Sequence, residues 1–364
     1  MYSTRKILSL KKIIFYFSGF FLSIIFALVL CELFSRIFFG GVFRNDPVLT
    51  RNSENALNYN GNQYTKFTSF EWDVDININS RGFRDEEKIY ESNNDKILIL
   101  GDSFTEGFGV KLEDSFAKKF QNILEKNSYS FDVYNAGISG NNLVDYIEIY
   151  ENYFSMDDKI KVVVIALYVG NDLIDSYKIR KIENIKKKNI TFILKNFAAK
   201  NLTFYNVLNR FIKSNPEINK FFVSLGLIHE KRILNKYQIN NELLKKKVNF
   251  SMKLIKNFDE KIKDKKFFLL IIPSKEQIDF VYWNFLVDVQ KEKISNLDKK
   301  NSINLIERLA IKYQINYLNL LNTFEINQRK AELYFKFDPH TNILGHELIA
   351  SELFKKMKDS KFFK

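Results

Sequence analysis

The sequence predicts an α/β protein, a parallel sheet covered by helices on both faces. Three observations carry that expectation. The runs "KILILG" (96–101), "KVVVIALYVG" (161–170) and "KKFFLLIIP" (265–273) are continuously apolar, as strands buried on both faces are. Amphipathic helical stretches lie between successive runs, the pattern of βα units. Polar residues and glycines gather directly after the runs, where such sheets collect their ligands.

Composition bounds the rest. The 364 residues are 46% hydrophobic and 15% aromatic, ample apolar surface to bury, which excludes general disorder. The formal charge is +13, from 56 basic and 43 acidic residues. The lysines are scattered among Asn, Ile and Glu, and the runs Lys186–Lys188 and Lys245–Lys247 read as solvated helix faces, so no nucleic-acid partner is expected. The lone cysteine, Cys31, excludes an intrachain disulfide and a cysteine-based zinc site. A histidine general base would have to be His229, His340 or His346, since the chain has no others.

In chain order, Ile13 to Cys31 carries no charge and is near the length of roughly 20 residues that spans a bilayer core. Arg5, Lys6, Lys11 and Lys12 precede it, which favours a cytoplasmic N-terminus and an exported body; Arg36 and Arg44 on the far side weaken that bias without reversing it. No small-x-small cleavage site follows. Residues 1–40 are therefore expected to form a short cytoplasmic tail and a transmembrane signal anchor. Residues 41–95, rich in Asn, Asp, Ser and Tyr, read as a stalk or accessory segment. Within it the alternating "WDVDININ" predicts a short edge strand, and Gly82 a turn. Residues 96–364 form the main domain. The expected elements are a strand at 96–101, a helix at 114–127, a strand at 130–137, a helix at 142–152 and a strand at 161–170. Further strands are expected at 265–273 and 315–324, then a last helix over 343–358. The stretch 173–262 is too long for one crossover and reads as a helical insertion or cap.

Three strand ends carry unusual polar residues: "GDSFTEG" (101–107), "NAGISGNN" (135–142) and "GND" (170–172). In a parallel sheet these loops converge at the carboxyl edge. Ser103 then sits at a strand-to-helix turn, with backbone N–H groups suited to a developing oxyanion. Gly140, or alternatively Gly137, would offer a second N–H, and Asn171 a side-chain amide. Near the C-terminus Asp338 and His340 stand two apart, so in an extended segment both side chains project to one side, with Asp338 able to hold one ring nitrogen. Plainer readings exist. Asp and Ser are ordinary helix caps, and Asn171 could be a turn residue. His229 fits a helical surface, and His346 a packed position in the last helix. Asp102 and Asp172 fit structural bonds to loop amides, and Glu106 fits no more than a favourable charge at a helix start.

Taken together and in this order, Gly101-Asp102-Ser103, Gly140 in "SGN", Gly170-Asn171-Asp172 and the Asp338/His340 pair resemble the SGNH/GDSL hydrolase family. The resemblance covers roughly residues 75–360 and looks closest to membrane-anchored bacterial members, in which "NSRGFRD" and "IIPSKEQI" elements also occur. It implies a three-layer α/β/α SGNH-type (flavodoxin-like) fold, serine esterase or acyl-transfer chemistry, and no metal or organic cofactor. It also implies roles: Ser103 as nucleophile, His340 as base, Asp338 as its orienting acid, and Ser103, Gly140 and Asn171 as the oxyanion hole. One departure stands out. Many members place the acid three residues before the histidine, where this chain has Phe337. The Asp-x-His spacing is similar to the branch that includes polysaccharide O-acetyltransferases. The expected activity is thus a membrane-anchored ester hydrolase acting on O-acyl, notably acetyl, esters of envelope glycans or lipids. The alternatives are an O-acyltransferase to cell-envelope polysaccharide and a non-catalytic glycan-binding or assembly protein on the same fold.

Overall fold

The computed structural model describes residues 2–39, 49–52, 57–69, 71–87, 92–175, 194, 197–198, 201–225, 233–290, 293–336 and 338–363. His229, Lys186–Lys188 and much of the segment 173–193 lie outside them. The chain divides into two compact units.

The first unit takes in residues 1–45, 68–70 and 185–222. Its main element is α1 (Tyr2–Phe39), within which Phe15–Phe39 is long and apolar enough to cross a membrane. The side chains along this stretch are almost all exposed, so its apolar surface is not spent on a protein core. Helix α6 (Thr203–Ser214) packs against α1 and takes its N-terminal cap from it. Glu32 accepts from the backbone N–H of Thr203 (3.0 Å) and of Phe204 (2.9 Å), filling two of the donors a helix start leaves open. Arg36 binds Glu32 at 2.7 Å and donates to the Asn201 carbonyl at 2.8 Å. Helix α7 (Pro216–Ser224) follows.

The second unit takes in residues 46–67, 71–184 and 223–364 and holds a five-stranded sheet, in space β4-β3-β5-β6-β7. Its strands are β3 (Asp95–Gly101), β4 (Phe131–Gly137), β5 (Ile160–Tyr168), β6 (Lys266–Ile272) and β7 (Tyr317–Asn319), all paired in parallel. This is the doubly wound order with a switch point beside β3, where chain connections leave in opposite directions and a crevice opens. On one side α3 (Phe116–Lys126) packs with α13 (Ile343–Asp359). The other helices form a chain of contacts in which α8 (Glu242–Lys261) touches both α4 (Leu143–Ile149) and α11 (Asn301–Lys312). The α/β class read from the sequence is the class observed. Residues 97–100, 162–167 and 268–272 are fully or almost fully buried, which is why their runs are apolar without alternation.

Helix α8 leads directly into β6, so the second half of the segment 173–262 supplies an ordinary crossover helix, buried along Leu244, Val248, Met252, Ile255 and Phe258. The alternating run becomes β2 (Asp73–Ile78), which pairs with β1 (Gln63–Thr68) in a two-stranded ribbon; Val74, Ile76 and Ile78 point inward. Gly82 adopts φ +86° in the following turn, as its position suggested. Leu57, Tyr59, Ile76, Ile78 and Phe83 share the main hydrophobic core with the sheet.

One expected strand is corrected. Of 315–324, only Tyr317–Asn319 is strand; α12 (Leu321–Gln328) starts at once, with the Asn319 side chain accepting from the Leu321 N–H at 2.9 Å. Leu320, Leu321 and Phe324 are buried at helical spacing, and that periodicity outweighs the apolar run.

Candidate active site

Strand β3 ends at Gly101 and is followed without a loop by the one-turn helix α2 (Ser103–Glu106). Asp102 caps it, its side chain accepting from the Phe104 N–H at 2.9 Å. Ser103 is thereby the first helical residue, where a backbone N–H has no acceptor within the helix. Asp102 is wholly buried, and desolvation lifts its carboxyl to about 6, against the stabilising influence of the Phe104 N–H, His340 and Asn171.

The sequence-predicted residues meet at this helix start. His340 Nε2 lies 2.7 Å from Ser103 Oγ, and His340 Nδ1 lies 2.5 Å from Asp338 Oδ1. The same Asp338 oxygen accepts from the His340 backbone N–H at 3.0 Å. The pair therefore meets through a bend, not the extended segment expected from two-residue spacing. The His340 ring packs between Phe104 and Phe108, at centroid distances of 4.8 and 4.5 Å, which fixes its plane. Trp72 and Phe335 continue the aromatic wall, 4.6 Å apart.

Asn171 follows β5. Its Nδ2 donates to Asp102 Oδ2 at 3.3 Å, which leaves the second hydrogen of the amide over. Asp172 does structural work: Oδ2 accepts from the Tyr168 N–H at 2.8 Å and Oδ1 from the Tyr146 hydroxyl at 2.9 Å.

The two candidate glycines separate cleanly. A Cβ on Gly137 would come within 2.2 Å of the Glu106 backbone nitrogen, and the Gly137 N–H already donates to Asn135 Oδ1 at 3.1 Å. A Cβ on Gly140 would meet only Arg51 Nη2, at an ordinary 3.8 Å; Gly140 sits at φ +80° and has no acceptor for its N–H among the described residues. Gly140 is the amide free to meet a ligand; Gly137 is needed for close packing against α2.

His346 lies outside this group. It is buried in α13, stacks on Phe116 and accepts the Phe116 N–H at 3.1 Å through Nδ1. Burial lowers its pKa to about 3, so it stays neutral at ordinary pH.

Several charged residues that sequence reasoning left without a role hold the site in place. Lys275 donates to the carbonyls of Phe335 and Lys336, both at 2.7 Å, and so secures the loop that carries Asp338 and His340. Lys236 pairs with buried Glu276 at 2.7 Å and donates to the Gly170 carbonyl at 3.1 Å, next to Asn171. Arg84 is 1% exposed and spreads its guanidinium over the carbonyls of Glu106, Gly107 and Val110 at the end of α2. Glu106 is 1% exposed; its Oε2 accepts from the Ser139 N–H at 2.5 Å and the Tyr59 hydroxyl at 3.0 Å. Arg84 and the Lys275/Glu276 pair stand in the "NSRGFRD" and "IIPSKEQI" blocks. Charges embedded in such short motifs were the available signal.

No metal-ligating cluster of His, Cys, Asp and Glu exists among the described residues. Among proteins of known structure, the chain is similar to a lipase/acylhydrolase from Enterococcus faecalis (11% identity, TM-score 0.41, covering 73% of this chain and 96% of that one). It is also similar to an acetyl xylan esterase (16% identity, TM-score 0.41, 71% and 98% covered). A third is a lipolytic protein of the G-D-S-L family from Veillonella parvula (12% identity, TM-score 0.37, 72% and 96% covered). No family model and no curated protein sequence matches the chain.

Proposed function

We propose that the protein is a serine ester hydrolase or acyltransferase working through an acyl-enzyme. The observation that carries this reading is the unbroken line Ser103 Oγ–His340 Nε2 (2.7 Å) and His340 Nδ1–Asp338 Oδ1 (2.5 Å). His340 takes the hydroxyl proton as Ser103 attacks an ester carbonyl, and Asp338 holds the ring with Nε2 toward the serine and steadies the imidazolium. The tetrahedral oxyanion is met by the N–H groups of Ser103 and Gly140 and the amide of Asn171. His340 then returns the proton to the departing alkoxide. A second nucleophile enters on the same base and releases the acyl group: water gives an esterase, a sugar hydroxyl an acyltransferase. The Asp-x-His spacing keeps the second outcome in view.

The apolar length of α1 supports a single-pass anchor, and the basic residues before it support an extracytoplasmic site. On that location the substrate is an O-acyl, notably acetyl, ester of an envelope glycan or lipid. A fluorophosphonate probe tests the chemistry against a purely binding role on the same fold: the full chain should form a covalent adduct on Ser103. No adduct on folded protein overturns the proposal. Acetyl ester turnover accelerated by an oligosaccharide acceptor, with acyl-sugar as product, marks the transferase; indifference to acceptor marks the esterase.

A further inference from the structure

The Gly140 N–H is useful to an oxyanion only if its peptide plane is held in one orientation. The structure contains a device for this, drawn from two elements. Ser139, the residue before Gly140, is gripped on both sides. Its N–H donates to Glu106 Oε2 at 2.5 Å, and its carbonyl accepts from Arg51 Nη2. The described residues contain no cis peptide, and in a trans peptide the C=O and N–H point in opposite directions. The carbonyl that Arg51 holds belongs to the same peptide unit as the Gly140 N–H. Drawing it toward the guanidinium turns that N–H the other way.

Both grips are themselves braced. Arg51 Nη1 donates to Asn141 Oδ1 at 2.7 Å and to the Leu57 carbonyl at 3.1 Å, and Asn141 Nδ2 donates to the same Leu57 carbonyl at 2.7 Å. The Tyr59 hydroxyl, 3.0 Å from Glu106 Oε2, ties the second grip to the same N-terminal segment, and the Arg51 guanidinium lies over the Tyr59 ring at 5.1 Å. Glu106 is on the same single turn of helix as Ser103, so the element that presents the hydroxyl also fixes the neighbouring loop. A donor on the carbonyl side further polarises the peptide and makes its N–H a stronger donor.

We infer that Arg51 and Glu106 are positioning residues that clamp Ser139 and orient the Gly140 N–H as an oxyanion donor, making Arg51, with Leu57 and Tyr59 that brace the clamp, part of the active site. The inference rests on the acyl-transfer reading above. It is tested on the full chain in detergent with Arg51→Ala, Arg51→Lys and Glu106→Gln. Active serine is titrated with a fluorophosphonate, so that misfolded protein drops out of the rates, and amide exchange is followed over 138–142. For Arg51→Ala the clamp predicts faster exchange in that segment. It also predicts kcat per titrated serine falling about 10- to 100-fold, with KM within about threefold. Arg51→Lys, which keeps one donor, recovers part of the loss. Glu106→Gln, which keeps an acceptor oxygen, falls less than Arg51→Ala. Combining Arg51→Ala with Gly140→Ala should cost less than the product of the two, because both disturb the orientation of one peptide, Gly140→Ala through the strain of a side chain at φ +80°. Unchanged exchange, or kcat per serine equal to wild type while wild type turns over normally, overturns the clamp alone. A wild-type chain without turnover or adduct overturns the acyl-transfer reading, and the inference with it.

Discussion

Ser103 is placed by the Asp102 cap and lies within hydrogen-bond reach of His340, and both rest on groups that take no part in the proposed reaction. Asn171 is the donor on which the oxyanion account is most exposed at the level of one side chain. Its Nδ2 is already fixed by Asp102, so little reorganisation is needed when charge develops. Asn171→Ala is expected to leave the fold intact and lower kcat by about 10²–10³. An unchanged kcat removes Asn171 from the site. His346 gives a prediction about stability. Its folded pKa of about 3 lies below the ordinary value of 6.5 because burial penalises the charged ring. The unfolded chain therefore binds more protons between those values, and this histidine's contribution is full above about 6.5 and lost progressively toward 3. At pH 5.5 the loss amounts to about 1.4 kcal/mol. Asp102 works in the opposite sense: raised to about 6, it costs stability above that pH and stops doing so toward 3.8. His346→Gln, which keeps an acceptor for Phe116, isolates the histidine. On going from pH 7 to 5.5 the urea midpoint should move further toward lower urea in wild type than in this variant, whatever the shared contribution of Asp102, and equal shifts contradict the assignment.

At the scale of elements, the site hangs on α2, a single turn that could not persist alone. Its C-terminal carbonyls are satisfied by Arg84 from the segment before the sheet. Arg84→Met keeps the apolar bulk but takes the donor from the Glu106 and Val110 carbonyls, while Gly107 keeps the Val110 N–H, a loss on the order of 2–5 kcal/mol. A fall of less than about 1 kcal/mol in thermal or urea unfolding would show that water replaces the guanidinium. The same scale explains what the sequence made readable. β3, β5 and β6 are each buried on both faces, and such strands leave a continuous apolar run without alternation. β7 was overread because its three residues merge into a helix whose first turn is also apolar. Ser103, Gly140, Asn171, Asp338 and His340 were legible because each stands in a short motif beside a strand end or helix start. Arg51 was not. The partners that tie it to the site, Ser139 and Asn141, are 88 and 90 residues away in the chain, and nothing in its own stretch of sequence distinguishes it from a solvated arginine.

For the whole molecule, every residue of the proposed site belongs to the unit built on the sheet, while α1 and α6 belong to the other. Removing residues 1–40 should move the protein from the membrane to the soluble fraction. Turnover of a water-soluble ester, per titrated serine, should stay within about twofold, as expected for independent parts. Retention at the membrane would contradict α1 as the anchor. Mutation of Glu32 to Ala should unpin the start of α6, seen as faster amide exchange at Thr203 and Phe204, whose N–H groups it caps. The central claim is that Ser103 is an acylated nucleophile. The most direct measurement is hydrolysis of p-nitrophenyl acetate, butyrate and octanoate by the full chain beside its Ser103→Ala variant, both shown to be folded. The account predicts turnover in the wild type that falls to the uncatalysed background in the variant. Equal rates in the two proteins would contradict it.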